Sequence, residues 1–464
     1  MKLKKLLISS AVIASCLGLT ACDSKKNTIT IAVGDESAEF YRKAVKDFLA
    51  NNSDFDYKVE VIAADTGTAA STFITDPEAA ADIITVAHDN IGKLVEQSIV
   101  LPFTDQNLIS QVEADNPAAF KNVIYHQGKT DSATQLYAVP YISQALVLMY
   151  NKTKVTPEQA KTFEGLMEAA KANNSEALAV TGTDGYNFSY SLLSRNVEGN
   201  DTTLQLYKDF NKANCYGQGD DMVATTQWAQ RFYADENGGH WPSDAGWASD
   251  LQANKVIACV GGAWQFKAFK DAVGGSDNAG FTVLPQFTLT ADDVKGTSIP
   301  AGTKRQAGTF VDCKVLMLNA FAHEEKYDAC QQIAAYISSK AIQNESFKEC
   351  ENLPAYAGSA EYIESIKDTI DRSAYEGAKA QLGMADYGIA QPFLASVLNN
   401  YYYQKKAPEL YVNIINNTNE EFSTTDQIRA GLFRMEHIWQ YGKDLDASLI
   451  PTTLPVDITK DYTK

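Results

Sequence analysis

"TITIAVGDESAEFYRKAVKDFLANNSDFDYKVEVIAADTGTAASTFITDPEAAADIITVAHDN", residues 28–90, changes its apolar period from one segment to the next. Thr28–Val33 is a β-rich run that breaks at Gly34. Phe40, Ala44, Val45, Phe48 and Leu49 then recur at the spacing of one helical face. "YKVEVIAA" (57–64) alternates apolar and polar residues as a strand does, a short helical stretch follows, and "ADIITVA" (81–87) is a compact apolar run. Strand, helix, strand, helix, strand specifies a mostly parallel sheet covered by helices. Such sheets take ligands at the carboxyl ends of their strands. Asp35, Thr66 and the pair His88–Asp89 each follow a predicted strand, so three strand-end loops are expected to converge on one crevice.

Working back from Thr28, Lys2, Lys4 and Lys5 precede an apolar stretch from Leu6 to Leu19. A basic start, a short apolar run and small residues before a cut describe a secretory signal over 1–21. The segment ends "LTAC", which resembles the lipobox of bacterial lipoproteins, with Cys22 as the residue that takes lipid. Residues 22–27 are then a lipidated N-terminus and tether; the five residues "DSKKN" reach roughly 15–18 Å when extended. No later segment has the ~18 consecutive apolar residues of a membrane span. The expected location is the outer face of a bacterial cell membrane, held there by the N-terminal lipid.

Working forward, Thr156–Lys171 reads as a helix and 202–236 offers more helical pattern. "NKVIACVGGAWQF" (254–266) holds an apolar strand ending in Gly261–Gly262 and Trp264. "GFTVLP" (280–285) and "FVDCKVLMLNA" (310–320) are further strands. Cys330, Ile333, Ala334 and Ile337 mark a helical face, with Cys330 a buried thiol. "GTSIPAGTKRQAG" (296–308) is the most linker-like stretch, and Tyr401–Tyr403 read as packing and surface. At 464 residues the chain exceeds what one core usually carries, so two lobes are expected.

A formal charge of −18 argues against nucleic acid and against broad adhesion to anionic lipid. Cys215, Cys259, Cys313, Cys330 and Cys350 sit at irregular wide spacings without CxxC, which is neither a disulfide framework nor a zinc motif. One or two disulfides stay open. The five histidines lack metal-ligand spacing, so neither metal nor cofactor is expected.

Five segments carry a resemblance in order: "DIITVAHDNIGKLVEQSIVLPF" (82–103), "LYAVPYISQALVLMYNK" (136–152), "KVIACVGGAWQFKAF" (255–269), "GFTVLPQF" (280–287) and "VLMLNAFAHEEKYDACQQIAAYISS" (315–339). Behind a lipobox, this set resembles the solute-binding lipoproteins of ABC importers, in the branch that holds maltose- and maltodextrin-binding proteins. The resemblance implies an α/β, two-lobe periplasmic-binding-protein-like fold with a hinge and an interlobe ligand cleft. Lobe one would be 28–142 plus 311–360, and lobe two 143–310 plus 361–464, with crossings near Ser143, Thr309 and Ser359.

It also implies a site. His88, Asp89 and Asn90 match hydroxyl-binding positions, and Asp35 a polar contact, with Glu36 where relatives carry lysine. Gln144 stands where they place a glutamate. Trp264 matches a stacking tryptophan, and Tyr186 or Asn187 a stacking tyrosine. Phe393 falls near a last stacking tryptophan, and Val86 replaces another. Thr66 completes the set from its strand-end loop. Four of these have a plainer reading beside them. Asp35 and Asp89 suit helix caps, Trp264 suits core, and Gln144 suits a hydrogen-bonded hinge.

Planar polar groups and aromatic faces are what a sugar cleft requires. The expectation is a carbohydrate-binding protein, a monomer, handing a mono- or short oligosaccharide to ABC permease subunits. A polyamine on the same fold is the alternative. A glycoside-acting enzyme needs paired carboxylates at a set separation; no nucleophile elbow, zinc motif or phosphate loop is present. A surface adhesin would need an exposed recognition face, and nothing marks one.

Overall fold

The computed structural model describes residues 26–181, 187, 189–197, 219–240, 246–309, 311–386, 406–456 and 460–464. The opening alternation becomes β1 (Thr28–Gly34), α1 (Ala38–Asn51), β2 (Lys58–Ala64), α2 (Ala69–Thr75) and β3 (Ile83–Ala87). β1 pairs in parallel with β2 from Thr28↔Lys58 to Gly34↔Ala64, and with β3 on its other side. Ile29, Ile31 and Val33 are completely buried, and Phe40, Ala44, Val45 and Phe48 of α1 are buried as the helical spacing requires.

The sheet is completed from far along the chain. Its order is β2–β1–β3–β13–β4, with β13 Val311–Asn319 and β4 Val100–Leu101; β5 (Val139–Ala145) also pairs with β13. β13 runs antiparallel to β3, β4 and β5. It enters from the carboxyl ends of β1 and β3, the side on which the rest of the chain is connected, and so must run against them.

A second sheet has the order β8 (Gly239–His240), β7 (Leu178–Val180), β9 (Ala258–Gly261), β6 (Val147–Asn151) and β10 (Ala279–Thr282). β5 and β6 are separated by Leu146 alone, and residues 139–150 are buried throughout. One extended run therefore serves both sheets. Val147–Tyr150 and Ala258–Val260 are almost wholly apolar and buried, as expected for a strand covered on both faces.

α3 spans Ile91–Glu96. Two sequence expectations change. The helix read from Thr156 to Lys171 is a 3₁₀ turn at Gln159–Lys161, and the α-helix begins only at Phe163 and runs to Ala172. Thr162 is extended and its hydroxyl accepts from the Gly165 amide at 3.0 Å, so the cap falls inside the periodic stretch. The linker-like 296–308 contains β12 (Lys304–Gln306), paired with β11 (Gln286–Thr288). Arg305 there is completely buried, bonded to Asp221, to the Ser194 carbonyl at 2.9 Å and to its hydroxyl at 3.4 Å. A charged strand gives no apolar signal, which is why its burial escapes a hydropathy reading.

Cys259, Cys313 and Cys330 are buried free thiols, and Cys350 is a half-buried one. Burial pushes the Cys330 thiol up to about 12 and the Cys350 thiol up to about 11. Cys215 lies outside the described residues, as do Cys22, Tyr186, Phe393 and Tyr401–Tyr403. No helix among the described residues is long and apolar enough to cross a membrane.

Candidate ligand-binding site

β1 ends at Gly34, and a 3₁₀ turn of Asp35–Ser37 intervenes before α1. Neither the turn nor the helix receives a side-chain cap, so Asp35 is exposed at the strand end without capping anything. β3 behaves likewise: it ends at Ala87 and turns through His88–Asn90 before α3. Asn90 donates through Nδ2 to Asp89 Oδ1 at 2.7 Å and to the Ala87 carbonyl at 3.2 Å, and no side chain caps α3. The capping alternatives for Asp35 and Asp89 are thus set aside, because an extra turn separates each strand from its helix. His88 and Asn90 are buried and Asp89 is half-buried. Thr66 is half-buried in a turn held by Asp65, whose carboxylate accepts from the Gly67 amide at 2.9 Å and the Thr68 hydroxyl at 3.1 Å.

β13 adds two residues that the sequence reading did not single out. Asp312 and Lys314 alternate with Cys313 and therefore share one face of the strand. In register, Asp312 lies opposite Gln144, while Lys314 lies between Ile142 of β5 and Ala87 of β3. Gln144, Asp312 and Lys314 are all buried. Lys314 donates through Nζ to Glu36 Oε1 at 2.6 Å. Burial alone would raise the Glu36 carboxyl, but the charge and hydrogen bond of Lys314 more than offset it and hold Glu36 below its ordinary value. The available signal was two ionisable residues at i and i+2 inside the apolar run "FVDCKVLMLNA". Buried charge persists only where it is paired, so such a spacing marks a partner nearby.

On the second sheet, β9 ends at Gly261 and a 3₁₀ turn of Ala263–Gln265 follows. Trp264 is 37% exposed, which removes the plain-core reading. A Cβ on Gly262 would lie 2.1 Å from the Trp264 ring, so the indole rests over a backbone that only glycine leaves clear. Beneath it, Gln265 Oε1 accepts from the Gly262 amide at 3.2 Å and stands 2.8 Å from the Thr181 hydroxyl. Asn187 joins this network, with its Oδ1 3.1 Å from the same hydroxyl, and is buried there.

Gly262→Ala is expected to displace the indole and shift the tryptophan emission. Thermal stability should change by less than ~0.5 kcal/mol, since the ring is at the surface. An unchanged spectrum would contradict the placement of the ring over Gly262.

Register brings these groups to one region. Gly261 pairs with Val147, three positions after Gln144, while Gln144 pairs with Asp312 and Lys314 with Ala87. The turns bearing Trp264 and His88 thus both start beside the β5–β6 crossing. Two cavities lie elsewhere. One of about 750 Å³ is lined by Glu164, Leu284, Gln286 and Gln306 among others. One of about 440 Å³ lies at the opposite end of the first sheet, under Asn319 and Tyr327. Neither contains a predicted site residue.

The chain belongs to the bacterial extracellular solute-binding proteins, whose family model matches residues 43–373. That membership places it outside the cytoplasmic membrane and among binding proteins. Solved structures share its two-lobe fold. A maltodextrin-binding protein from L. casei, solved without ligand, is 19% identical with a TM-score of 0.66, over 87% of this chain and 98% of that one. The maltose-binding periplasmic protein of Listeria monocytogenes, in complex with maltose, is 18% identical with a TM-score of 0.64, over 89% and 97%. The GacH receptor of Streptomyces glaucescens, described unliganded and with acarbose, is 17% identical with a TM-score of 0.64, over 87% and 96%. A comparison with curated protein sequences found no match.

Proposed function

We propose that the chain is a lipid-anchored carbohydrate receptor that feeds an ABC importer. Cys22 carries the lipid and residues 23–27 tether the body close to the membrane. Lobe one comprises 28–142 and 311–360, and lobe two 143–310 and 361–464. A sugar bridges them, and the closed form gains population in proportion to the ligand's differential affinity for it. The permease reads that form. The receptor acts as a monomer, without cofactor and without catalysing a reaction.

The observation that carries this reading is the convergence by register of an exposed indole and several polar strand-end groups on the β5–β6 crossing. Indole covers the apolar side of a pyranose ring, while Asp35, Glu36, Thr66, His88, Asp89, Asn90 and Gln144 receive its hydroxyls. Asn187 supports the tryptophan turn, and Tyr186 and Phe393, outside the described residues, stay as candidates from the sequence alone. The fold neighbours that carry maltose or acarbose support the sugar class. Val86 is completely buried and offers no aromatic face at its position. A mono- or short oligosaccharide therefore suits this cleft better than a long maltodextrin.

A thermal-shift panel of mono- and oligosaccharides, with spermidine as control, tests the proposal. A sugar present at 1,000 times its Kd adds about 4 kcal/mol to apparent stability, which is a shift of several degrees. Spermidine is the relevant control because Asp35, Glu36, Asp89 and Asp312 also suit a polyamine. Stabilisation by spermidine alone would overturn the carbohydrate reading.

A further inference from the structure

We propose that Lys314 is a positioning residue for ligand recognition: its buried ammonium, with the bare backbone at Gly34, holds the Glu36 carboxylate as a fixed acceptor for ligand hydroxyl or ammonium donors. This rests on the strand-end site described above and names what orders it. Lys314 is 5% exposed, and its ammonium meets Glu36 at 2.6 Å across 278 positions of chain. Its strand neighbour Ala87 directly precedes His88, so the pair ties the loop after β1 to the loop after β3. The second contribution is steric. A Cβ on Gly34 would stand 2.5 Å from both Glu36 carboxylate oxygens, so the carboxylate is folded back over the end of β1. Gly34 has φ −53° and ψ 133°, which any residue adopts. The glycine is needed there for space, not for backbone freedom.

A lysine buried only to stabilise the fold would be served by any acid. This one reaches the acid at the tip of a ligand-side loop, and 31% of that side chain remains open to solvent. The arrangement gives an acceptor that is ionised and oriented before the ligand arrives, which spares the cost of ordering it on binding. Around Glu36 stand Asp35 from the same turn, Tyr41 from α1, Tyr141 from β5 and Cys350 from the end of the helix Lys340–Cys350. Burial raises both phenols and the thiol, so all three stay neutral between pH 5 and pH 7.5. Lys314 is the cation in that shell. Without it, burial acts on the Glu36 carboxyl with no cation to offset it and favours the protonated form as the pH falls.

The experiment measures affinity by calorimetry for the panel compound that stabilises the protein most, at pH 7.5 and pH 5.0. It compares the parent with Lys314→Met, Gly34→Ala and Trp264→Ala. Relative to the parent, Lys314→Met should lose about tenfold more affinity at pH 5.0 than at pH 7.5, the worth of a charge-assisted hydrogen bond. Gly34→Ala keeps both charges and only moves the carboxylate. It should lose about fivefold to tenfold at both pH values, and it remains informative if Lys314→Met does not fold. Parental affinity and pH profile in the folded Gly34→Ala or Lys314→Met protein, alongside loss in Trp264→Ala, would overturn the positioning role and leave the carbohydrate reading intact. If spermidine is the compound that binds, the carbohydrate reading falls while the same losses still support Lys314. Binding of no panel compound would overturn both.

Discussion

Trp264→Ala is expected to weaken saccharide binding at least tenfold, a loss of about 1.4 kcal/mol, while the protein stays folded. The indole is 37% exposed on a turn beyond β9, so its removal takes little from the core. In the proposed site its loss takes away the broad apolar face on which a sugar ring would exclude water. Val86, at the position of a second aromatic face, is completely buried, so the proposed site leaves that duty to Trp264 among the described residues. Trp264→Phe keeps a flat ring and should recover most of the affinity. Calorimetry on the saccharide chosen by the panel checks both variants, with melting temperature as the folding control. A Kd for Trp264→Ala within twofold of the parent would remove the residue from the site.

The largest expected effect on stability lies in the first sheet. Asp82 accepts from the Thr30 amide at 2.8 Å, from the Thr30 hydroxyl at 2.9 Å, and from Lys326 Nζ at 3.2 Å through both oxygens. Asp82 is 8% and Lys326 3% exposed. Asp82→Ala strands a buried ammonium and deprives a β1 amide of its acceptor, which should cost about 3–5 kcal/mol. Urea denaturation would show it as a lower midpoint with an unchanged slope. The double variant Asp82→Ala, Lys326→Met should recover much of the loss, because the uncompensated charge is gone. A single-variant loss below ~1 kcal/mol would mean that Lys326 reaches solvent on losing its partner.

Much of the architecture was legible because burial writes a period into the chain. Phe40, Ala44, Val45 and Phe48 spell one helical face, and Ile83–Val86 an interior strand, so three strand ends are marked by the apolar spacing alone. Polar burial writes no period. Arg305 lies completely buried in a stretch that reads as linker, since its compensation comes from Asp221 and Ser194, far away in sequence. The charges within "FVDCKVLMLNA" announced that Lys314 needs a partner, but its being Glu36, 278 positions away, was not legible. Asp35 and Asp89 as helix caps failed on a smaller matter, one extra 3₁₀ turn after each strand. At Trp264 the sequence favoured a stacking surface and kept plain core as the alternative, and the exposure of the ring decides against core.

The unpaired cysteines carry a consequence for survival outside the cell. Attack on a disulfide or oxidant requires a thiolate, and burial keeps Cys330 and Cys350 protonated at any physiological pH. Cys259 and Cys313 are raised by burial as well. Folding is therefore their antioxidant. An unfolded molecule in an oxidising compartment exposes the same sulfurs at ordinary acidity and can crosslink before it refolds. Heat inactivation then becomes a one-way event whose rate depends on the ambient oxidant, and a reducing agent should restore reversibility without touching the native protein.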